Sequence, residues 1–175
     1  MTGTAFGVPF ERVEPIAPPR RDDVKAAVLT LVASVVAGAP VGFLWALLAP
    51  RVEALASGDD ILLVEAYTSG FIAADGYFVA AALVAGVVAG LVAWWLGSRH
   101  GPAVVVALAV GGLLAAVIAM VTGEQIGLSD AREAVRAGST AAFELPLDLK
   151  AHEAFVAWPL ASMLTYLAAS LLKDR

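Results

Sequence analysis

Four side chains in this chain have types and positions suited to chemistry at the mouth of a helical bundle: Asp75, Glu124, His152 and Glu153. Each stands at, or within two residues of, the end of a long uncharged stretch, so three carboxylates and an imidazole could converge there. Such a set can ligate Ca²⁺ through oxygen or Zn²⁺ through nitrogen and oxygen, or serve as general acid and base. The simpler reading is that polar residues begin where apolar stretches end. No HExxH, GxSxG, nucleotide-binding glycine loop or EF-hand spacing accompanies the four residues. The chain also has no cysteine, which removes disulfides, thiolate metal sites and cysteine nucleophiles together. The expectation is therefore no catalytic residue and no cofactor, with these four as the metal-ligand candidates.

The elements that must position them are four stretches free of Asp, Glu, Lys, Arg and His. They run from Ala26 to Ala49, Gly76 to Ser98, Gly101 to Gly123 and Ala154 to Leu172, or 24, 23, 23 and 19 residues. At about 1.5 Å of rise per residue the shortest reaches roughly 28 Å, close to the ~30 Å hydrocarbon thickness of a bilayer. Ala, Val, Leu and Gly cover all faces of these stretches, leaving no polar stripe for water, and in lipid the helix satisfies its own backbone. The 175-residue chain is 60% hydrophobic and 15% charged, with mean hydropathy +0.83. Four buried helices of a soluble domain would leave too little polar chain to coat them.

Charge sets the expected orientation. Arg12, Arg20, Arg21, Lys25, Arg99, Lys173 and Arg175 fall on one side of the spans, and Arg51, Arg132, Arg136 and Lys150 are spread over longer loops on the other. By the positive-inside rule both termini face the cytoplasm. Eleven of the 16 acids then lie outside, among them Asp59, Asp60, Asp130 and Glu144. The net charge of -5, with no dense basic cluster, argues against a nucleic-acid partner. Trp45 and Trp158 are expected at the outer interface, and Trp94 with Trp95 at the inner one. The first span exceeds the roughly 7 to 15 apolar residues of a signal-peptide core, so it reads as a retained anchor.

The expected fold is an all-α membrane protein, a four-transmembrane-helix bundle over residues 24–175. Residues 1–23, with Pro9, Pro15, Pro18 and Pro19, read as a disordered cytoplasmic tail, and Pro15, Pro18 and Arg20 have the PxxPxR form of a polyproline ligand or a plain linker. The outer loops, 50–75 and 124–153, are long enough to carry structure. Ile61 to Ala66 reads as a strand with Gly70 to Ala73 as its hairpin partner, and Asp130 with Glu133 starts a short helix reaching about Ala137. Ala141 to Leu145 reads as a further strand. Together they suggest a small extracytoplasmic cap of short strands and one short helix.

Small residues four apart supply helix seams: Gly38 and Gly42 around Pro40, Gly86 and Gly90, Ala107 with Gly111, Gly112 with Ala116, and Ala157 with Ala161. A homodimer through Gly86 and Gly90 is the alternative use of that face. The brief link Ser98 to Pro102, which holds Arg99 and His100, places the second and third spans side by side. Pro40 and Pro159 are expected to kink their helices. The hydroxyls of Thr30, Ser34, Ser162, Thr165, Tyr166 and Ser170 are expected to bond between helices. Coupled transport normally places ionisable groups within the membrane, and the four stretches contain none of the five types above.

The stretch PVGFLWALLAPR (Pro40 to Arg51), ADGYF (Ala74 to Phe78) and the GVVAG face of the second span resemble a family of small four-span membrane proteins of unknown function in actinobacteria. The resemblance implies a bacterial plasma membrane protein with two outer loops and carries over no binding or catalytic residue. The functional expectation is an accessory or scaffold component of the cell envelope, not an enzyme. Its partners would be the lipid bilayer and other envelope membrane proteins. The alternatives are a small transporter or channel subunit, and an outer-face metal-binding or hydrolytic protein.

Overall fold

The computed structural model describes residues 20–57, 60–63, 67–97, 102–136 and 143–173. The tail through residue 19, with Pro15 and Pro18 of the PxxP run, and the link holding Arg99 and His100 lie outside the described residues. Four helices are long and apolar enough to cross a membrane, with mean hydropathies of 2.1, 2.3, 2.8 and 1.6 along the chain. The fold is thus that of a multi-pass membrane protein whose packed body is helical.

Helix α1 spans Arg21–Leu48. Asp23 Oδ2 accepts the Arg20 backbone N–H at 2.8 Å, which closes the first turn and puts Arg21 to Asp23, assigned to the tail from sequence, inside the helix. Helix α2 spans Tyr67–Gly97. Its buried residues Ala74, Phe78, Ala82, Gly86 and Gly90 recur every fourth position, as one face of a helix requires. Helix α3, Pro102–Gln125, buries two adjacent rows that include Ala107, Gly111, Ala115 and Ala119 on one side and Leu108, Gly112 and Ala116 on the other. It can therefore serve two neighbours at once. Gly127, at φ +86°, turns the chain from α3 into the short α4, Leu128–Arg136. A 3₁₀ turn over His152–Val156 leads into α5, Ala157–Lys173.

Helix α1 packs chiefly on α3 and α2 chiefly on α5, with α3 against α5 between them, whereas α2 and α3 share little contact. This corrects the side-by-side placement of the second and third spans. A short link keeps two helix ends near each other, but small-residue faces choose the partners. Pro159 stands in the first turn of α5, where a missing N–H leaves no intrahelical bond unmade.

Three short strands, β1 (Glu53–Ser57), β2 (Asp60–Leu63) and β3 (Phe143–Glu144), form an antiparallel ribbon in the order β2-β1-β3, with Leu55 opposite Leu62 and Glu53 opposite Glu144. The strand cap expected from sequence is not supported as drawn. Gly70 to Ala73 belong to α2 and pair with no strand, because in a helix their backbone is satisfied locally while Ala74 and Phe78 reach the core. Over the bundle end lies instead the irregular segment from Leu145 to Ala151, which inserts Leu147 and Leu149 into the core.

The core has two parts. One, around Trp45, Phe78, Leu147 and Leu149, fills the end where the loops lie and reaches down to Trp158 midway along the bundle. The other, around Ala93, Val104, Leu108 and Tyr166, is smaller and lies toward the opposite end. Outward faces carry Val28, Val36, Leu47, Val84, Trp95 and Leu164, all exposed. So much apolar surface is at home in hydrocarbon.

Candidate functional site

Asp75 lies about two turns inside α2 and so is held on a rigid element rather than at a loop edge. Its Oδ1 accepts the Lys150 backbone N–H at 3.1 Å and its Oδ2 accepts that of Ala151 at 3.0 Å. Glu124, in the last turn of α3, accepts the Leu149 backbone N–H through Oε1 at 3.2 Å. Two helices thus present carboxylates to three consecutive amides of the covering segment. Those amides join no helix or ladder, and a charged acceptor is the strongest substitute for one. The segment alternates buried Leu147 and Leu149 with exposed Asp148 and Lys150, which form an ion pair with each other. The Lys150 ammonium also lies 5.6 Å above the Phe71 ring.

Beneath this segment runs a line of aromatic contacts. The Trp45 indole N–H donates to the Ala74 carbonyl at 2.9 Å, tying α1 to α2. Trp45 meets Phe78 edge-on with ring centroids 5.1 Å apart, and Phe78 meets Phe155 at 6.3 Å. His152 continues the line against Phe155 at 5.9 Å. Beside it, Arg51 donates from Nη2 to the Ala46 carbonyl at 3.2 Å and from Nη1 to Glu144 at 3.2 Å. A cation at the end of α1 is well placed against the last carbonyls of that helix. The Leu145 N–H donates to the Val52 carbonyl at 2.8 Å, so the two loops are joined at adjacent points.

The four candidate ligands therefore separate by role. Asp75 and Glu124 converge on one segment but are engaged by backbone amides. His152 and Glu153 are exposed in the 3₁₀ turn, where the His152 and Phe155 rings stand nearly perpendicular. Among the described residues no three His, Cys, Asp or Glu side chains come together to hold a metal ion. Span ends brought the four to one level, but the amides of residues 149 to 151 took the carboxylates. What the arrangement does is latch a loop onto two helices.

The packing glycines fall into three seams. A Cβ built on Gly38 would lie 2.5 Å from the Ala115 carbonyl oxygen, and one on Gly42 would meet the Ala119 carbonyl, so both close α1 onto α3. Gly111 faces Leu31 and Ser34 across the same seam. Gly86 and Gly90 receive α5 at Trp158, Ala161 and Ser162, while Gly112 faces Pro159 between α3 and α5. A second copy could reach Gly86 and Gly90 only by displacing α5.

Two other expectations are corrected. Trp45, at the loop-bearing end, and Trp158, expected at the same level, both point into the bundle and are 1% exposed. Trp158 stands beside Gly86 and Gly112, halfway along their helices. The serine hydroxyls turn back on their own helices rather than crossing between them: Ser34 donates to Thr30 O, Ser162 to Pro159 O and Ser170 to Tyr166 O. Sequence reading missed Trp45, Arg51 and the leucine pair Leu147 and Leu149 as the anchors of this end. The alternation through Leu145, Leu147 and Leu149, with Asp148 and Lys150 between them, was a legible signal for an extended, half-buried segment.

Fold and site together define a multi-pass membrane protein with a loop-latched bundle end. No family model, curated protein or solved structure matches the chain.

Proposed function

We propose that this protein is an accessory or scaffold component of a bacterial cell envelope, with both termini cytoplasmic and the latched end outside. One observation carries the reading: the carboxylates best placed for chemistry, Asp75 and Glu124, hold loop backbone in position. A joined pair of loops displayed on a membrane bundle suits contact with other envelope proteins. The skew of Lys and Arg toward the termini and the 98–101 link supports the orientation. The resemblance of Pro40 to Arg51 and Ala74 to Phe78 to small actinobacterial four-span proteins is part of the same proposal.

The test is crosslinking in native membranes followed by partner identification. The expected result is a larger envelope assembly, lost when the two outer loops are exchanged for unrelated sequence. Substrate flux through liposomes holding the purified chain, abolished by Ser34→Ala or Tyr166→Phe, would replace this reading with a transporter. Stoichiometric metal in protein prepared without chelator, lost in Glu124→Ala, would replace it with the metal-binding alternative.

A further inference from the structure

The short helix α4 sorts its residue types onto separate arcs. At about 100° per residue, Ala131 and Ala134 share one side with Leu128 and Val135, Arg132 and Arg136 stand next to Val135, and Asp130 and Glu133 occupy the far side. Gly127 turns the chain into α4 beside the Arg51 guanidinium, which itself holds the last carbonyls of α1. Helix α4 thus leaves the bundle at the level where α1 and α3 both stop. Ala131 is 7% exposed, whereas Val135, one turn further on the same side, is 44% exposed. The first turn rests on the bundle and the second overhangs its edge, and what lies beneath an overhang at that level is the bilayer surface. Arg132 and Arg136 are both exposed, and the ion pairs at this end, Arg51 with Glu144 and Lys150 with Asp148, leave them out among the described residues. A cation in the last turn steadies the helix dipole, which accounts for Arg136 but not for Arg132 in mid-helix.

We propose that the second turn of α4 is a lipid-headgroup site, in which Arg132 and Arg136 hold the phosphodiester of one anionic phospholipid and Val135 rests on the start of its acyl chains. Side chains four apart on a helix leave it about 5 to 6 Å from each other, so both guanidinium forks can reach the oxygens of one phosphate. Two unpaired cations favour a headgroup of net negative charge over one whose amine cancels its phosphate. The order of the arcs selects the occupant. An acidic protein surface would meet the arginines from the water side and leave Val135 bare, whereas a lipid covers both. A second copy in a two-fold contact would set arginine against arginine. Asp130 and Glu133 fall on the far arc, where a helix lying on a membrane meets water. The inference rests on the chain lying in a membrane, and on neither its orientation nor its having a protein partner.

The chain has no cysteine, so Val135→Cys takes a single spin label. The labelled full chain is reconstituted in vesicles of phosphatidylcholine with phosphatidylglycerol. The label is expected to relax with oxygen dissolved in the bilayer and to be shielded from an aqueous nickel chelate. In the unlabelled chain in detergent, titration with phosphatidylglycerol followed by native mass spectrometry gives the affinity for the first bound lipid. Arg132→Gln and Arg136→Gln are each expected to weaken it about fivefold. Glu133→Gln, on the far arc, is expected not to weaken it, and helicity by circular dichroism is expected to match the parent in all three. Phosphatidylglycerol held no more tightly than phosphatidylcholine, or held equally by the parent and the folded double arginine variant, overturns the proposal. So does spin–spin broadening between labelled copies that hides the label from oxygen. If the protein floats with the vesicles while the label at residue 135 stays open to the nickel chelate, the membrane reading stands and only this inference falls.

Discussion

Helix α1 meets its two neighbours in opposite ways. Toward α3 it presents Gly38 and Gly42, and the backbones close until a single added carbon would strike the Ala115 and Ala119 carbonyls. Toward α2 it presents Ala33, Ala37 and Val41 across an open groove, and the two helices are tied at one end by Trp45 and Ala74. Both sides are almost wholly apolar, so hydrophobicity does not separate them. What separates them is backbone approach. In lipid no water is released when helices meet, so attraction comes from close van der Waals fit, and a face of alanines and valines without a matching ridge stays open.

This contrast makes the same kind of substitution act oppositely on the two sides. Gly42→Leu would drive its side chain into the Ala119 backbone, which cannot rotate away. It is expected to cost about 3 kcal/mol, read as earlier unfolding in a denaturing-detergent titration. Asp75→Ala removes the acceptor of two loop amides above the open side and is expected to cost about 2 kcal/mol. Limited proteolysis between Leu145 and Ala151 would rise with it, whereas Asp75→Asn, which keeps one carbonyl oxygen, would recover part of the loss. Trp45→Phe cuts the tie between α1 and α2 while keeping most of the ring, and about 1 kcal/mol is expected. A spin-label distance between α1 and α2 would widen in that variant and stay fixed between α1 and α3. The smallest effect belongs to Ala85→Leu in the groove, expected within about 0.5 kcal/mol of the parent in the same titration. If Ala85→Leu proved as damaging as Gly42→Leu, the two sides of α1 would not differ as described.

The two ends of the bundle differ in a related way. At one, Trp45, Phe78, Phe155 and the Leu147 and Leu149 pair are pinned by carboxylates and by Arg51. At the other the core is thinner, while a buried indole N–H without a hydrogen-bond partner among the described residues occurs in both core parts, on Trp158 and on Trp94. Part of this was legible in residues 145 to 151, whose alternation marks an extended segment with one buried edge. The acceptors of its amides were not. Asp75 is 75 positions from Lys150 along the chain, and Glu124 is 25 from Leu149. Nothing local distinguishes a carboxylate that will ligate a cation from one that will take a backbone N–H. The hairpin at Gly70 to Ala73 failed for a similar reason, because a short apolar run fits either period until its neighbours are known.

From its residues alone this chain declares how many long apolar helices it has and roughly where each lies. Those are properties of each stretch by itself: enough consecutive apolar side chains, no charge among them, and a backbone that hydrocarbon forces into a helix. Tertiary structure alone decided that α1 takes α3 and α2 takes α5, that a groove remains between α1 and α2, and that Asp75 and Glu124 accept the amides of a distant loop. Those outcomes depend on which surfaces approach within an ångström or two of each other. That is a relation between distant segments, and several arrangements of the same small residues look equally good until one of them packs.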